Sequence, residues 1–276
     1  MESDISAIWA DALLIVYLAC TAVLLLVGRD RVSAAAIALH LAVLCAIATV
    51  AFAPVVPRWL RRWAPLLALL FLYTELPVLL RAAGQVHLFD AVIMRWEQAL
   101  FGTQPAAAWA QAWPSRVFSE TLHGAYLSYY GIIVVIPALL YRSGRLRDFD
   151  EAVFVLMLTF VACFTWYLFF PVAGPRYFSQ ARIASGGIVR GTVLMILEAR
   201  SSRGTAFPSS HVAVATTQSV LAVRYFGRRG LLLAGLTVGL AGGAVYGGFH
   251  YAIDALVGAA LGLAIALGAL RVMRTR

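Results

Sequence analysis

Two short segments near the C-terminal end carry residues able to do chemistry together: Phe207-Pro208-Ser209-Ser210-His211 and His250-Tyr251-Ala252-Ile253-Asp254. His250 and Asp254 stand four residues apart, so a helix starting there puts both side chains on one face. A carboxylate so placed fixes the tautomer of the imidazole and makes its free nitrogen a better nucleophile, suited to an electrophile such as phosphorus. In the first segment Pro208 fits the first turn of a helix, and Ser209 and Ser210 bring hydroxyls beside unpaired backbone N–H groups. That combination is a seat for an anion. His211 stands next to it, placed to hand a proton to a leaving oxygen. Tyr251, between the His and the Asp, is a candidate contact to the substrate.

The two segments resemble the second and third signature motifs of the type 2 phosphatidic acid phosphatase superfamily, a Pro-Ser-Gly-His element followed by a His-x-x-x-Asp element. Within that superfamily the Phe-Pro-Ser-Ser-His and His-Tyr-x-x-Asp wording is most similar to the inositol phosphorylceramide synthase and inositolphosphotransferase-like branch. The resemblance covers roughly the last hundred residues. It implies a metal-independent lipid phosphatase or phosphotransferase with His250 as nucleophile, Asp254 orienting it, His211 as acid and base, and a phosphohistidine intermediate. Neither a cofactor nor a metal is implied, and no metal-ligand cluster is visible in the sequence.

The first motif of that superfamily has only a partial counterpart in Phe170-Pro171-Val172-Ala173-Gly174-Pro175-Arg176-Tyr177. The order is Pro-Arg, not Arg-Pro, and the usual preceding Lys is missing; where the third motif commonly has Ser-Arg, this chain has Gly243 and Ala244. A phosphoryl transition state still needs positive charge around its equatorial oxygens. The loop offers Arg176, Arg182, Arg190, Arg200 and Arg203, and the planar fork of Arg binds phosphate oxygens in pairs. Arg176 and Arg203, nearest the motif-bearing helix ends, are the expected phosphate ligands, together with Ser209 and Ser210.

These motifs have to be positioned by a membrane protein. Of 276 residues, 62% are hydrophobic and the mean hydropathy is +0.84, too apolar for an ordinary soluble domain. All 22 residues of the Lys+Arg total are Arg, giving a net charge of +9; with abundant Ala and Gly this suggests a GC-rich, bacterial source. The charge sits in loops, where it orients the chain and attracts anionic lipid rather than nucleic acid. Cys20, Cys45 and Cys163 fall within apolar runs and read as packing residues. The acidic stretch Met1 to Ser6 lacks the basic start of a signal peptide, so the first run is expected to stay as an anchor.

About twenty apolar residues cross a bilayer as a helix, and by that measure the chain has about eight runs: Trp9 to Val27, Val32 to Ala53, Ala64 to Leu80, Leu122 to Tyr141, Ala152 to Phe170, Ser209 to Phe226, Leu231 to Gly248 and Tyr251 to Leu270. The expected fold is an all-α polytopic membrane bundle: residues 1–63 an N-terminal pair of helices, residues 64–276 the catalytic part, whose six-helix core the resemblance implies. Loop arginines 58, 61 and 62, then 142, 145 and 147, then 224, 228 and 229, and finally 271, 274 and 276 fall on one side. The positive-inside rule makes that side cytoplasmic, putting both termini inside a bacterial plasma membrane and both His motifs outside.

Residues 86–101 alternate apolar and charged groups at helical spacing and read as an amphipathic helix in the interface, with Asp90, Arg95, Glu97 and Gln98 on its polar face. Gly235, Gly239, Gly243 and Gly247 form a smooth strip on the seventh run, and Gly258 and Gly262 answer on the eighth, predicting that these two helices pack as a tight hairpin. His40 and His87 read as interfacial residues. His123, at the head of the fourth run, and Glu75, an ionisable group inside an apolar run, are candidate substrate contacts; pairing of Glu75 with an Arg is the alternative. Beside transfer of a phosphoryl head group to an alcohol, two readings remain open: a plain lipid phosphate phosphatase, and a non-enzymatic lipid-binding or transport protein. In each the partner is a membrane lipid.

Overall fold

Within a bilayer the backbone N–H and C=O groups have no water to bond, so long apolar runs become helices. A computed structural model describes residues 5–85, 87–178, 187–200 and 202–274. The chain forms α1 (Ile5–Val27), α2 (Ala34–Phe52), α3 (Arg58–Ala82), α4 (Asp90–Phe101), α5 (Pro105–Ala112), α6 (Arg116–Leu127), α7 (Tyr129–Arg142), α8 (Leu146–Phe169), α9 (Ile188–Arg200), α10 (Ser210–Phe226), α11 (Leu231–Tyr246) and α12 (Ala252–Arg274). Among the described residues the extended backbone amounts to one isolated bridge, Val172 to Thr205.

Six stretches are long and apolar enough to cross a membrane, and a seventh is the pair α6 and α7, bent by 41° at Ser128. One of the six, Ser210–Tyr246, spans 37 residues and is itself folded back on itself. The turn at Gly227–Gly230 brings Ser219 Oγ to 2.8 Å from Thr237 Oγ1, and Thr237 donates to the Ala215 carbonyl at 3.1 Å. That hairpin supplies two of the apolar runs and the bent pair another, so the helices match the eight runs in number.

The centre of the bundle is α8, whose buried residues run round the whole helix from Phe149 to Leu168, as a helix surrounded by others requires. α1, α3, α7, α10 and α12 contribute to the same core through Leu14, Leu72, Ile136, Val214 and Ala266. By contrast α2 lies on the outside; among its described residues the fully buried one is His40. Its ring is no interfacial group. Nδ1 lies 2.6 Å from Glu75 Oε1, and Nε2 donates to the Leu18 carbonyl at 2.9 Å. Glu75 therefore meets neither substrate nor an Arg but closes a buried pair that joins α1, α2 and α3. A carboxylate within an apolar run is tolerated where a partner shares its proton.

The glycine strip works differently from the expected hairpin. A Cβ on Gly243 would lie 2.2 Å from the Leu122 carbonyl oxygen, and one on Gly262 would lie 2.1 Å from that of Ala213. Small residues let backbones touch, and here they seat α11 on α6 and α12 on α10. Gly258 does the same against the carbonyl of Ser209, at 2.5 Å. Cys163 packs in the core as expected, whereas Cys20 and Cys45 are exposed on the outer faces of α1 and α2.

Candidate active site

The chemistry-bearing residues gather at one end of the bundle, where α10 and α12 start and α8 and α11 finish. Ser209 caps α10: its hydroxyl accepts from Val212 N at 3.4 Å, and its own N–H donates to the Asp254 carbonyl at 3.0 Å. The second contact binds the start of α10 to the start of α12. His211 and His250 therefore face each other, with ring centroids 5.5 Å apart.

The tautomer of His250 follows from its neighbours. Nδ1 lies 2.9 Å from the carbonyl oxygen of Ala206, and a carbonyl only accepts, so Nδ1 carries the hydrogen and Nε2 keeps its lone pair. Asp254 is the second neighbour: its Oδ2 is 3.6 Å from His250 Nδ1, an ion-pair distance, while the same oxygen accepts from Tyr251 N at 2.8 Å. Asp254 thus caps its own helix and lends negative charge to the imidazole, and Ala206 does the aiming.

A cavity is lined by His211, His250, Arg176, Ser210, Tyr126 and Tyr73, with Ala206 in its wall. Four of the predicted residues meet there. Ser209 is fully buried and its hydroxyl is committed to the cap. Arg203 is exposed and does not line the cavity; its guanidinium is 4.6 Å from the centre of the Tyr177 ring, while that of Arg176 sits 4.5 Å from the same ring. The hydroxyl of Tyr177 also takes a hydrogen bond from Arg176 Nη2. One aromatic ring, holding two cations by its π face, ties Arg203 to Arg176 of the cavity wall, where the motifs of the resemblance would supply other cations.

The remaining candidates lie elsewhere. His123 is buried on α6, donating from Nδ1 to the Ser119 carbonyl at 2.7 Å, with its ring against Phe249 and Tyr246. Arg190 stands on α9, whose first N–H groups are capped by Glu120. Arg182 and the side chain of Arg200 lie outside the described residues. Tyr251 is buried and donates its hydroxyl to Asp90 Oδ1 at 3.1 Å; burial and the nearby Asp90 carboxylate raise its phenol above the ordinary value.

Three residues emerge that the motifs do not flag. Tyr126 places its hydroxyl 3.2 Å from His211 Nε2. Asp90 and Glu97 belong to α4 and point inward, 2% and 0% exposed, although their spacing reads as a polar, water-facing strip. Arg95 and Gln98 of the same strip stay exposed, apolar Ile93 is buried beside the two carboxylates, and Trp96 at 45% and Leu100 at 62% are on the outer face. An apolar face directed at lipid costs nothing, and each inward carboxylate finds N–H donors. Glu97 Oε1 accepts from Ala252 N at 2.5 Å and Ile253 N at 3.4 Å, which caps the helix that begins just after His250.

Residues 91–268, well over half of the chain, match the PAP2 superfamily. The chain belongs to that superfamily. PAP2 membership carries a phosphatase-type function on lipid phosphate, and the matched region contains both histidines and, apart from Tyr73, the residues that line the cavity. Comparison with curated proteins and with solved structures gave no match.

Proposed function

We propose that this PAP2 protein cleaves a lipid phosphate ester at the extracytoplasmic face of the membrane through a phosphohistidine, and passes the phosphoryl head group to an alcohol acceptor. The observation that carries the reading is His250: its Nδ1–H is held by the Ala206 carbonyl, and the ring opens onto a cavity shared with His211 and Arg176.

The Nε2 lone pair of His250 attacks phosphorus as the bond from phosphorus to the leaving oxygen breaks. His211, entering the step protonated, gives its proton to that oxygen. Arg176 and Arg203 offset the charge that builds on the equatorial oxygens, and Ser210 offers a hydroxyl at the cavity wall. Asp254 favours the cationic state that His250 acquires on phosphorylation. In the second half an alcohol attacks the phosphohistidine, its proton passes to His211, and the bond from phosphorus to nitrogen breaks. The wording of the motifs, most similar to inositolphosphotransferase-like sequences, favours an alcohol over water as acceptor.

Two measurements test this. Purified protein is offered phosphatidic acid, a polyprenyl diphosphate, phosphatidylinositol with ceramide, and phosphatidylglycerol, and all products are weighed by mass spectrometry. A new phosphodiester lipid is expected; free phosphate alone would replace transfer by hydrolysis. H250A should lose at least about a thousandfold in rate while staying folded, because both half-reactions pass through that nitrogen. An H250A rate near wild type would overturn the mechanism.

A further inference from the structure

Asp90 uses both carboxylate oxygens, and all its partners lead to the cavity. Oδ2 accepts from Ala173 N at 2.9 Å, and Oδ1 accepts from Gly174 N at 2.9 Å and from the Tyr251 hydroxyl at 3.1 Å. The loop it grips reaches the site by two routes. Two residues after Gly174 comes Arg176, in the cavity wall. One residue before Ala173, the Val172 carbonyl accepts from Ala206 N at 2.9 Å, and the Ala206 carbonyl holds His250 Nδ1. A fourth tie, Phe89 N to the Pro171 carbonyl at 2.9 Å, fixes the start of α4 to the same loop. Gly174 has a φ of +101°, and a Cβ there would come within 2.9 Å of the Phe249 carbonyl oxygen, so the loop lies flat against the residue preceding His250.

We propose that Asp90 is a positioning residue for phosphoryl binding: its carboxylate sets the place of the 172–176 loop, and through it both the guanidinium of Arg176 and the carbonyl that aims His250. α4 is then a bracket for the site rather than a surface helix. The inference rests on the phosphoryl-binding reading of the cavity. A carboxylate taking charge-assisted bonds from two successive N–H groups is a strong and directional anchor. A shift of about 1 Å at the reacting groups is enough to cost roughly a hundredfold in rate.

Binding of orthovanadate, which adopts the five-coordinate geometry of a phosphoryl transition state, tests this without knowledge of the lipid. Affinity is measured by calorimetry on the detergent-solubilised full chain for wild type, R176A, D90N and D90N/R176A, with thermal unfolding alongside. D90N keeps the shape of the side chain and replaces one acceptor with a donor facing an N–H. The expected result is that R176A and D90N each weaken vanadate binding by about tenfold or more, and that the double variant is no weaker than about threefold below the weaker single one. G174A, which pushes the same loop from its other side, should couple to R176A in the same way.

Multiplicative losses in both cycles, or wild-type binding by D90N beside a weakened R176A, would overturn the role of Asp90 and leave the phosphoryl site intact. A D90N protein that does not accumulate in folded form would overturn it as well, making Asp90 a determinant of the fold. Wild-type binding by R176A, or no binding by wild type, would instead strike the phosphoryl-binding reading itself.

Discussion

Tyr126 gives His211 a hydrogen-bond partner that the motif around that residue does not show. Its hydroxyl is 3.2 Å from Nε2, and Nδ1 is buried with no hydrogen-bond partner among the described residues. A hydroxyl can both donate and accept, so it can partner that nitrogen whether or not the nitrogen carries a proton. The ring of Tyr126 also packs on His211 and Phe249, with centroids 5.1 Å and 4.7 Å away, so Y126F removes the hydroxyl while keeping the packing. Turnover in that variant is expected to fall about tenfold with the unfolding temperature little changed, since one such hydrogen bond contributes about 1 kcal/mol; an unaltered rate would mean that His211 needs no partner. His250 and Asp254 are legible in sequence because their spacing is local, four residues within one helical turn, and His211 because it closes its own Pro-Ser-Ser-His segment. Tyr126 and Asp90 were not, for their partners lie 85 and 161 residues away, and no periodicity reports a contact across that distance. The role of Asp254 was legible in part: its place beside the ring followed from spacing, but a backbone carbonyl from another loop takes the hydrogen bond.

At the scale of elements, α4 teaches the same lesson about faces. Its periodicity gives a correct helix, yet not which residues point inward: Asp90, Glu97 and Ile93 do while Arg95, Gln98, Trp96 and Leu100 stay out, because for a chain bounded by lipid an apolar side chain is as comfortable outside as in. Gly239, Gly243, Gly258 and Gly262 are the contact points their spacing predicts, whereas Gly235 faces open space, and the partner helix is not the predicted one, since small residues mark close approach without naming what approaches. Glu97 gives α4 a titration to watch. Its carboxyl is pushed up to about 7 by burial, against the N–H bonds from Ala252 and Ile253, which lower it, and with Asp254 on α12 raising it. The folded state therefore holds this proton more tightly than the unfolded chain, whose carboxyl titrates near ~4.3. Stability gained from that proton is complete below the ordinary carboxylate range and is lost as pH rises towards about 7, because the folded state binds more protons across that window. Thermal unfolding of wild type between those limits should show this decline. E97Q, which keeps an acceptor for the start of α12 and cannot titrate, should flatten it; an equally steep decline in E97Q would place the titration on another group.

At the scale of the whole molecule, ion pairs knit together the end of the bundle opposite the cavity. Arg62 pairs with Asp150 at 3.0 Å, Arg224 with Glu151 at 3.3 Å, and Arg145 with Asp148 at 2.7 Å, while Arg145 also donates to the Tyr225 carbonyl at 3.0 Å. These contacts join the start of α3, the start of α8 and the end of α10 at one end of the bundle. The cavity sits at the other end, beyond the 24 residues of α8, about 36 Å along a helix at 1.5 Å per residue. The orienting rule counts arginines whether or not carboxylates partner them, so the pairing leaves the proposed orientation standing, in which this end faces the cytoplasm and the cavity faces outward. An outward site would meet lipid phosphate where no nucleotide is at hand as a phosphoryl donor, which suits chemistry that takes its energy from the ester bond being exchanged. His87 is exposed at the cavity end, after α3, and Arg228 is exposed in the turn between α10 and α11. In spheroplasts treated with a membrane-impermeant maleimide, H87C should be labelled at once and R228C only after the membrane is opened. The reverse pattern would turn the bundle over and place the reaction in the cytoplasmic leaflet.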